Sequence, residues 1–296
     1  MSTPSSPSAS MPTQTITPDL LRAWSLPEPG ASKYGRGQLI VVGGALRSPG
    51  AAMLAGLAAL RVGAGRLTLA VAGSVAPHVG VALPECGVVP LAETVDGHVL
   101  GSGLRDVADD LAAADCVLVG PGLDDAEEAE SMLRLLPSLV TPEAVVVLDA
   151  FALGVASEVE QVKELSGRLV LTPNTSEAER LLGEEPGDDD TATALAIAKR
   201  YGAVVAFQAI VAAPDGRSWQ VGTGAGGLGT SGSGDVLAGA IAGLCARGAD
   251  VAQAAVWAAH AHHSAGDRLA VRVGPLGYLA RELLDELPRV FVEISA

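Results

Sequence analysis

The sequence predicts an α/β fold, with a mostly parallel central sheet and helices on both of its faces. Short aliphatic runs such as Gln38–Val42, Cys116–Val119 and residues 144–148 alternate with longer stretches of helix formers, at the spacing of βαβ units. Several of those runs end in Gly, Pro or a carboxylate, residue types that suit loops lying beyond strand ends. No period of roughly 20–50 residues repeats, which sets a solenoid aside.

The elements follow in order. Residues 1–18, rich in Ser, Pro and Thr, are expected to form a disordered tail, and residues 19–296 a single domain. That tail has neither a basic segment nor an apolar core, so it is not a secretory signal. Thr17, Pro18 and Asp19 open a short helix reaching Trp24, and a Pro/Gly linker follows. Gln38–Val42 is a strand closed by Gly43 and Gly44; residues 51–61 have helix formers at helical spacing. Arg66–Ala72 is the next strand. A helix near residues 104–114 precedes strand Cys116–Val119, and an acidic helix over 124–136 precedes strand 144–148, which ends in Asp149. Strand 168–171 leads to a short helix over 176–182, and a helix over 191–201 leads to strand 203–207. That last strand is expected to run straight on through Gln208 and Ala209 to Ile210. Pro214, Asp215 and Gly216 mark a hairpin between residues 210–213 and Ser218–Val221, where Trp219 is expected to pack. Beyond residue 235 only helices are expected, over 236–247, 251–269 and 276–287.

Between the hairpin and the first of those helices lies the stretch that most needs a cause. Seven of the thirteen residues from Gly222 to Gly234 are glycine, where the chain average of 36 in 296 gives only about one or two. Glycine lets backbone N–H groups approach a ligand closely, yet ordering it is entropically costly. A flexible loop feeding a helix start presents unpaired N–H donors and the positive end of the helix dipole, a ready anion site. Asp235 stands where that helix begins, and an N-cap role is the plainer reading of it. A P-loop is excluded, because Asp235 stands where Lys-Ser/Thr would be required. The literal GxGxxG at Gly224 to Gly229 lies late in the chain with no strand-end acid at the dinucleotide-binding offset.

Composition narrows the partners. The net charge of −15 argues against nucleic acid and implies that an anionic ligand is held by local backbone donors. No apolar run approaches the length of a membrane span, so neither membrane nor nucleic acid is expected as a partner. Cys86, Cys116 and Cys245 form no CxxC pair and read as reduced core thiols of a cytoplasmic protein. His260, His262 and His263 lack the acidic spacing of a zinc helix and read as surface or interface residues. Lys33 and Arg36 read as solvated cations or as partners of an anion, and Glu177 as a helix-start carboxylate or a water-mediated metal contact. In an α/β sheet, ligands bind beyond the carboxyl ends of the strands. That rule gathers the loops at 43–50, 120–122, 149–151, 173–177 and 222–235 at one edge and gives Asp149 a functional reading.

Taken together, the segments KYGRGQLIVVGGALRSPGAAMLAGLAALRVGAG, VGPGL, VVLDAFAL, LTPNTSEAERLLG, GLGTSGSGDVLAGAIAG and AGDRLAVRVGPLGYLARELLDELP resemble the ADP/ATP-dependent NAD(P)H-hydrate dehydratases of the ribokinase-like superfamily. They span nearly everything from Lys33 to Pro288 in the family's order. The resemblance implies a repair enzyme that phosphorylates the ring hydroxyl of NADHX or NADPHX and eliminates phosphate, with ADP or ATP as co-substrate and Mg²⁺ as cofactor. It implies Asp235 as the acid/base at the hydrate, with Ala51, Gly122 and Asn174 also contacting substrate. It places Gly234, Ser233, Gly232 and Gln208 at the nucleotide; no metal ligand is assigned, and Asp149 and Glu177 remain candidates to reach a metal through water. A homo-oligomer is in keeping with it.

Three departures stand out. The family's His-Pro-Gly-Glu is Asn174, Thr175, Ser176 and Glu177 here, so a histidine becomes a side chain that cannot titrate. Its Asp-Ala-Asp-Ala-Leu becomes Asp149 to Leu153 with Phe151 in place of an acid. Its Lys-Gly-x-x-Thr loop is absent around Gln208. The epimerase domain fused to some members is not expected, since few residues precede Lys33. Two alternatives stay open: a small-molecule kinase of the same superfamily that acts on a hydroxymethyl heterocycle, and a nucleotide-binding homologue with impaired catalysis.

Overall fold

The aliphatic runs are buried on both faces, as a parallel sheet between two helical layers requires: Val41, Val42, all of Cys116–Val119, and Val146, Val147 and Leu148 are inaccessible. The computed structural model describes residues 11–222, 224 and 227–295. In chain order the elements are β1 (Gln14–Ile16), α1 (Pro18–Ala23), β2 (Gln38–Val42), α2 (Pro49–Arg61), β3 (Arg66–Ala72), α3 (Ala76–Ala82) and β4 (Gly87–Leu91). A 3₁₀ turn (Gly101–Val107) leads into α4 (Ala108–Ala112), followed by β5 (Cys116–Val119), α5 (Ala126–Leu139), β6 (Val145–Leu148) and α6 (Phe151–Val155). After β7 (Leu169–Leu171) come α7 (Thr175–Leu182), α8 (Asp190–Tyr201), β8 (Val204–Phe207), β9 (Ile210–Ala212) and β10 (Ser218–Val221). Three helices close the chain: α9 (Ser233–Ala246), α10 (Val251–Arg272) and α11 (Ala280–Ser295).

All the strands join one sheet in the order β1-β10-β9-β8-β7-β6-β5-β2-β3-β4. From β4 to β8 every neighbouring pair is parallel; β9 runs antiparallel to both β8 and β10. The chain builds outward from β2 to β4, then returns to β5 on the other side of β2 and builds the opposite way. The point where winding reverses therefore lies between β2 and β5, and their carboxyl ends open a crevice there. Helices α2, α9, α10 and α11 pack on one another as one layer, and α5, α6, α7 and α8 as the other.

Small residues set the closest approach in the first layer. A Cβ on Gly239 of α9 would lie 2.0 Å from the Ala55 carbonyl oxygen of α2, and one on Gly243 would lie 2.6 Å from Ala59 Cα. Both contacts advance by four residues in the same direction, so α2 and α9 run parallel and present their N-termini at the same end. One turn earlier in each helix stand Ala51 and Asp235.

Several expectations need correction. Residues 14–16 are not tail: β1 pairs in parallel with Trp219, Gln220 and Val221, and Thr13 Oγ1 lies 2.9 Å from Ser218 Oγ. Residues 1–10, where the rest of the expected tail falls, lie outside the described residues. The strand from Phe207 does not run straight on; Gln208 adopts φ 54° and the chain turns back, pairing Phe207 with Ile210. The last helix begins at Ala280 because Gly274 (φ 133°) and Gly277 (φ 117°) leave helical space, and it continues through Pro288 on its buried side chains. His260 and His262 are core residues, 6% and 4% exposed, and not surface ones. Trp219 packs against Trp24, ring centroids 5.6 Å apart, as expected of a hairpin residue. Cys116 and Cys245 are free buried thiols that meet one another between β5 and α9.

Candidate functional site

Main-chain contacts hold the loops of the crevice in place. Gly44 N–H donates to the Pro121 carbonyl at 2.8 Å and Ala45 N–H to that of Gly122 at 2.9 Å, joining the loops after β2 and β5. Gly122 (φ 75°) abuts Ser48, whose carbonyl oxygen would lie 2.2 Å from any Cβ placed there. Gly120 (φ 128°) is pressed in the same way against the Asp149 carbonyl, tying in the loop after β6. Four of the five expected loops thus meet through direct contacts: Asp149 follows β6, Thr172 follows the adjacent β7, and Thr172 Oγ1 donates to Asp149 Oδ1 at 2.7 Å. Between them Ala150 adopts φ 48° and ψ −121°, strained for a residue with a Cβ, at the turn into α6.

The fifth loop runs into α9. Thr223, Ala225 and Gly226, part of the glycine run and of the literal GxGxxG, lie outside the described residues. Gly232 (φ 91°) is the N-cap, so Asp235 is not the cap but the third residue of the helix. A cap side chain would accept from the N–H groups of the second or third residue. Here none does, and among the described residues the N–H groups of Gly234 and Asp235 have no partner. α2 likewise starts without a side-chain cap at Ser48, as do the short helices α3, α4 and α6, whereas α1, α5, α7, α8 and α10 are capped by Thr17, Asp125, Asn174, Asp189 and Asp250. The two helix starts brought together by the Gly239 and Gly243 contacts thus both lack a side-chain cap, and the open amides at the start of α9 favour an anion.

Three carboxylates face this end. Asp149 is buried, 4% exposed, and desolvation pushes its carboxyl up to about 6 against the pull of the Thr172 hydrogen bond. Half-buried Asp235 is pushed up to about 7, by desolvation first and by the negative charge of Asp149 second. Glu177 is also pushed up to about 7, by desolvation and, opposed by its cap hydrogen bonds, by Asp149. A group poised near neutrality can take a proton at physiological pH and give it up again.

The remaining predicted residues divide. Asn174 and Glu177 form a capping box: Asn174 Oδ1 accepts from Glu177 N–H at 3.0 Å and Glu177 Oε2 from Asn174 N–H at 2.9 Å. Asn174 therefore keeps only its side-chain NH₂ for a ligand. Gln208, exposed at the β8–β9 turn, donates from Nε2 to Thr175 Oγ1 at 3.2 Å. Ser233, expected at the nucleotide, donates its N–H to the Thr230 carbonyl, and its buried hydroxyl meets His262. Lys33 and Arg36 sit in the loop before β2, packed against Gly65 before β3, at the sheet edge opposite the crevice. Phe151, Leu123, Gly154, Glu177 and Arg180 line a cavity of about 350 Å³, and Gly227, Thr230, Leu276 and Tyr278 line another of about 340 Å³ beside the glycine loop. Two larger cavities, about 770 and 680 Å³, lie against the N-terminal segment and α10–α11 and hold none of the candidate residues.

Two contributors escape the sequence reading. Thr172 was findable, since it and Asp149 each follow the last paired residue of neighbouring strands. His262 was not, because nothing local marks which face of the Ala-rich α10 meets α9.

No helix among the described residues is long and apolar enough to cross a membrane, and none of their His, Cys, Asp and Glu side chains form a group of three that could hold a metal directly. Residues 39–289 match the NAD(P)H-hydrate dehydratase family. The chain is 42% identical over 284 residues, 94% of its length and 96% of the other's, to the ADP-dependent (S)-NAD(P)H-hydrate dehydratase of Xanthomonas campestris pv. campestris. It spans about half the length of the bifunctional NAD(P)H-hydrate repair enzymes it also matches. Among solved structures, the ADP/ATP-dependent NAD(P)H-hydrate dehydratase of Bacillus subtilis, co-crystallised with ATP and Mg²⁺, superposes with a TM-score of 0.78 at 28% identity, covering 96% of this chain and 100% of that one. A ribokinase-like superfamily protein of Enterococcus faecalis shares the fold, with a TM-score of 0.82 at 21% identity and 96% coverage of each chain. With the match covering the crevice, the glycine loop and all three carboxylates, the chain belongs to the NAD(P)H-hydrate dehydratase family, in a ribokinase-like fold.

Proposed function

We propose that the protein is an ADP- or ATP-dependent dehydratase that returns the (S)-hydrates of NADH and NADPH to the reduced nucleotides. The observation that carries this reading is Asp235: a carboxylate held near neutrality, in the first turn of a helix whose neighbouring amides are unclaimed. In the reaction, the hydrate's ring hydroxyl attacks the terminal phosphorus of the nucleotide while Asp235 removes its proton, and the bridging P–O bond breaks to release AMP or ADP. Phosphate then leaves the ring carbon as the adjacent carbon gives up a proton and the ring double bond forms. The amides of Gly234 and Asp235 receive the charge that develops on the transferring group. In this reading Ala51, in the first turn of the parallel α2, and Gly122 border the hydrate, while Asn174 offers its NH₂ and Gln208 its carbonyl from the rim.

The carboxylates fit Mg²⁺ as the cofactor. They are hard oxygen donors whose mutual repulsion a divalent cation relieves, and Mg²⁺ takes one or two carboxylates, waters and phosphate oxygens in preference to a cage of protein ligands. Asp149 and Glu177 would hold it through water, and when bound it neutralises charge on the phosphates. The departures at Asn174, Phe151 and Gln208 leave Asp149, Glu177, Asp235 and the α9 start in place.

The test is to incubate the protein with (S)-NADHX, Mg²⁺ and either ADP or ATP, following recovery of reduced-nicotinamide absorbance. The reading expects recovery with release of AMP or ADP. A stable phosphorylated product would establish the kinase instead, and nucleotide binding without turnover the impaired homologue. As Asp235 must be ionised to act, kcat/KM should fall as pH drops through about 7. Asp235→Asn should keep nucleotide affinity and lose roughly 10²–10⁴-fold in rate.

A further inference from the structure

A helix start that binds an anion faces a conflict. A side-chain cap fixes the first turn, but it does so by occupying the amides the ligand needs. α9 has no such cap, and its N-cap is a glycine, the residue least able to hold its own conformation. Something else must hold the turn.

The neighbouring helix supplies it. His262 of α10 places Nε2 2.9 Å from Ser233 Oγ and 3.0 Å from the Ser233 carbonyl oxygen. A carbonyl can only accept, so Nε2 carries the proton and donates to both atoms. Burial and the nearby His263 push the ring down to about 3, so it stays neutral, and Nδ1 is a buried acceptor without a partner among the described residues. The ring is 4% exposed and meets α9 from the core side, away from the amides of Gly234 and Asp235.

We propose that His262 is a positioning residue that clamps the first turn of α9 from outside, through the hydroxyl and carbonyl of Ser233, leaving the Gly234 and Asp235 amides free for a phosphoryl group. The role rests on the dehydratase reading only for what those amides bind; the clamp itself exists without ligand. The geometry explains why Ser233 is buried in a loop otherwise built for contact with a ligand. It also explains a donor histidine with an unused second nitrogen: the clamp needs one N–H, and the ring delivers it across the gap between two helices.

The experiment compares wild type with His262→Leu, His262→Gln and Ser233→Ala. It measures kcat and KM with (S)-NADHX, the Kd of ADP by calorimetry, thermal unfolding, and hydrogen exchange of the 230–238 segment without ligand. His262→Leu should weaken ADP about tenfold and lower kcat by at least as much, with the loss of two hydrogen bonds. His262→Gln, whose Nε2 reproduces the donor, should return both to within about threefold of wild type. Ser233→Ala, which keeps the carbonyl acceptor, should fall between them. Exchange should rise in the 230–238 segment of His262→Leu while the rest of the chain stays as in wild type. The clamp is overturned if His262→Leu keeps wild-type kcat and ADP affinity, if Gln rescues no better than Leu, or if exchange rises evenly over the chain as a global loss of stability would give. Should wild type bind ADP but never turn over (S)-NADHX, the reaction proposed above fails, and ADP affinity and exchange still decide the clamp.

Discussion

At the scale of single residues, glycines that look alike in the sequence do different work. Gly120, Gly122 and Gly232 are demanded by the fold: each has a left-handed φ, and a Cβ would strike neighbouring atoms. Gly234 is different. It lies in α9 without a left-handed φ, and a Cβ there meets nothing within 4 Å. The protein alone gives no steric reason for glycine at this position, and under the function proposed above the reason is the phosphoryl group that approaches it. Gly234→Ala should therefore stabilise the ligand-free protein by up to about 1 kcal/mol, since alanine orders a helix at lower entropic cost. The same methyl group stands where a phosphoryl group would meet the backbone, so ADP affinity should fall tenfold or more. Urea unfolding and calorimetry read the two effects separately. Unchanged affinity would move the phosphates away from the start of α9.

At the scale of elements, the site depends on two helices approaching closely enough to align their N-termini. Gly239 and Gly243 make that possible, and Gly239→Ala forces a methyl group to within 2.0 Å of the Ala55 carbonyl unless the helices separate. Such overpacking should destabilise the fold by about 1–3 kcal/mol in urea unfolding. Because Ala51 and Asp235 share this register, kcat should drop in protein that is still folded, which a loss of stability alone does not produce. The same elements show what was legible in advance. That Asp235, Gly122 and Asp149 lie at one edge was legible because loop composition and strand ends are local signals, and a parallel sheet turns them into one edge. β1 was not: Gln14, Thr15 and Ile16 carry no pattern of their own, and their pairing is with Trp219, Gln220 and Val221 far along the chain. The β8–β9 turn was missed because it places Gln208, not glycine, at positive φ. The contact of Ser233 with His262 was hidden for a related reason, since the two sit on different helices and no spacing connects them.

At the scale of the whole molecule, a net charge of −15 surrounds a site proposed to gather two anions, a nucleotide and a dinucleotide hydrate. The long-range field opposes encounter, and attraction begins only where the amides of α9 are within reach. These two contributions respond differently to salt. The Debye length shrinks from about 30 Å at 0.01 M to about 8 Å at 0.15 M, which screens the distant surface charge while leaving short backbone contacts nearly intact. With Mg²⁺ held constant, kcat/KM should therefore rise, by a few-fold at most, as monovalent salt is raised over that range, whereas most enzymes of anionic substrates that recruit them with surface cations lose rate. The site's rim does hold exposed cations, Arg47 after β2 and Arg180 on α7. If kcat/KM falls with salt, those guanidinium groups dominate capture, and Arg47→Ala and Arg180→Ala should abolish the fall. If it rises, the nucleotide is held by main-chain donors in a field that repels it, which accounts for so glycine-rich a loop in so acidic a chain.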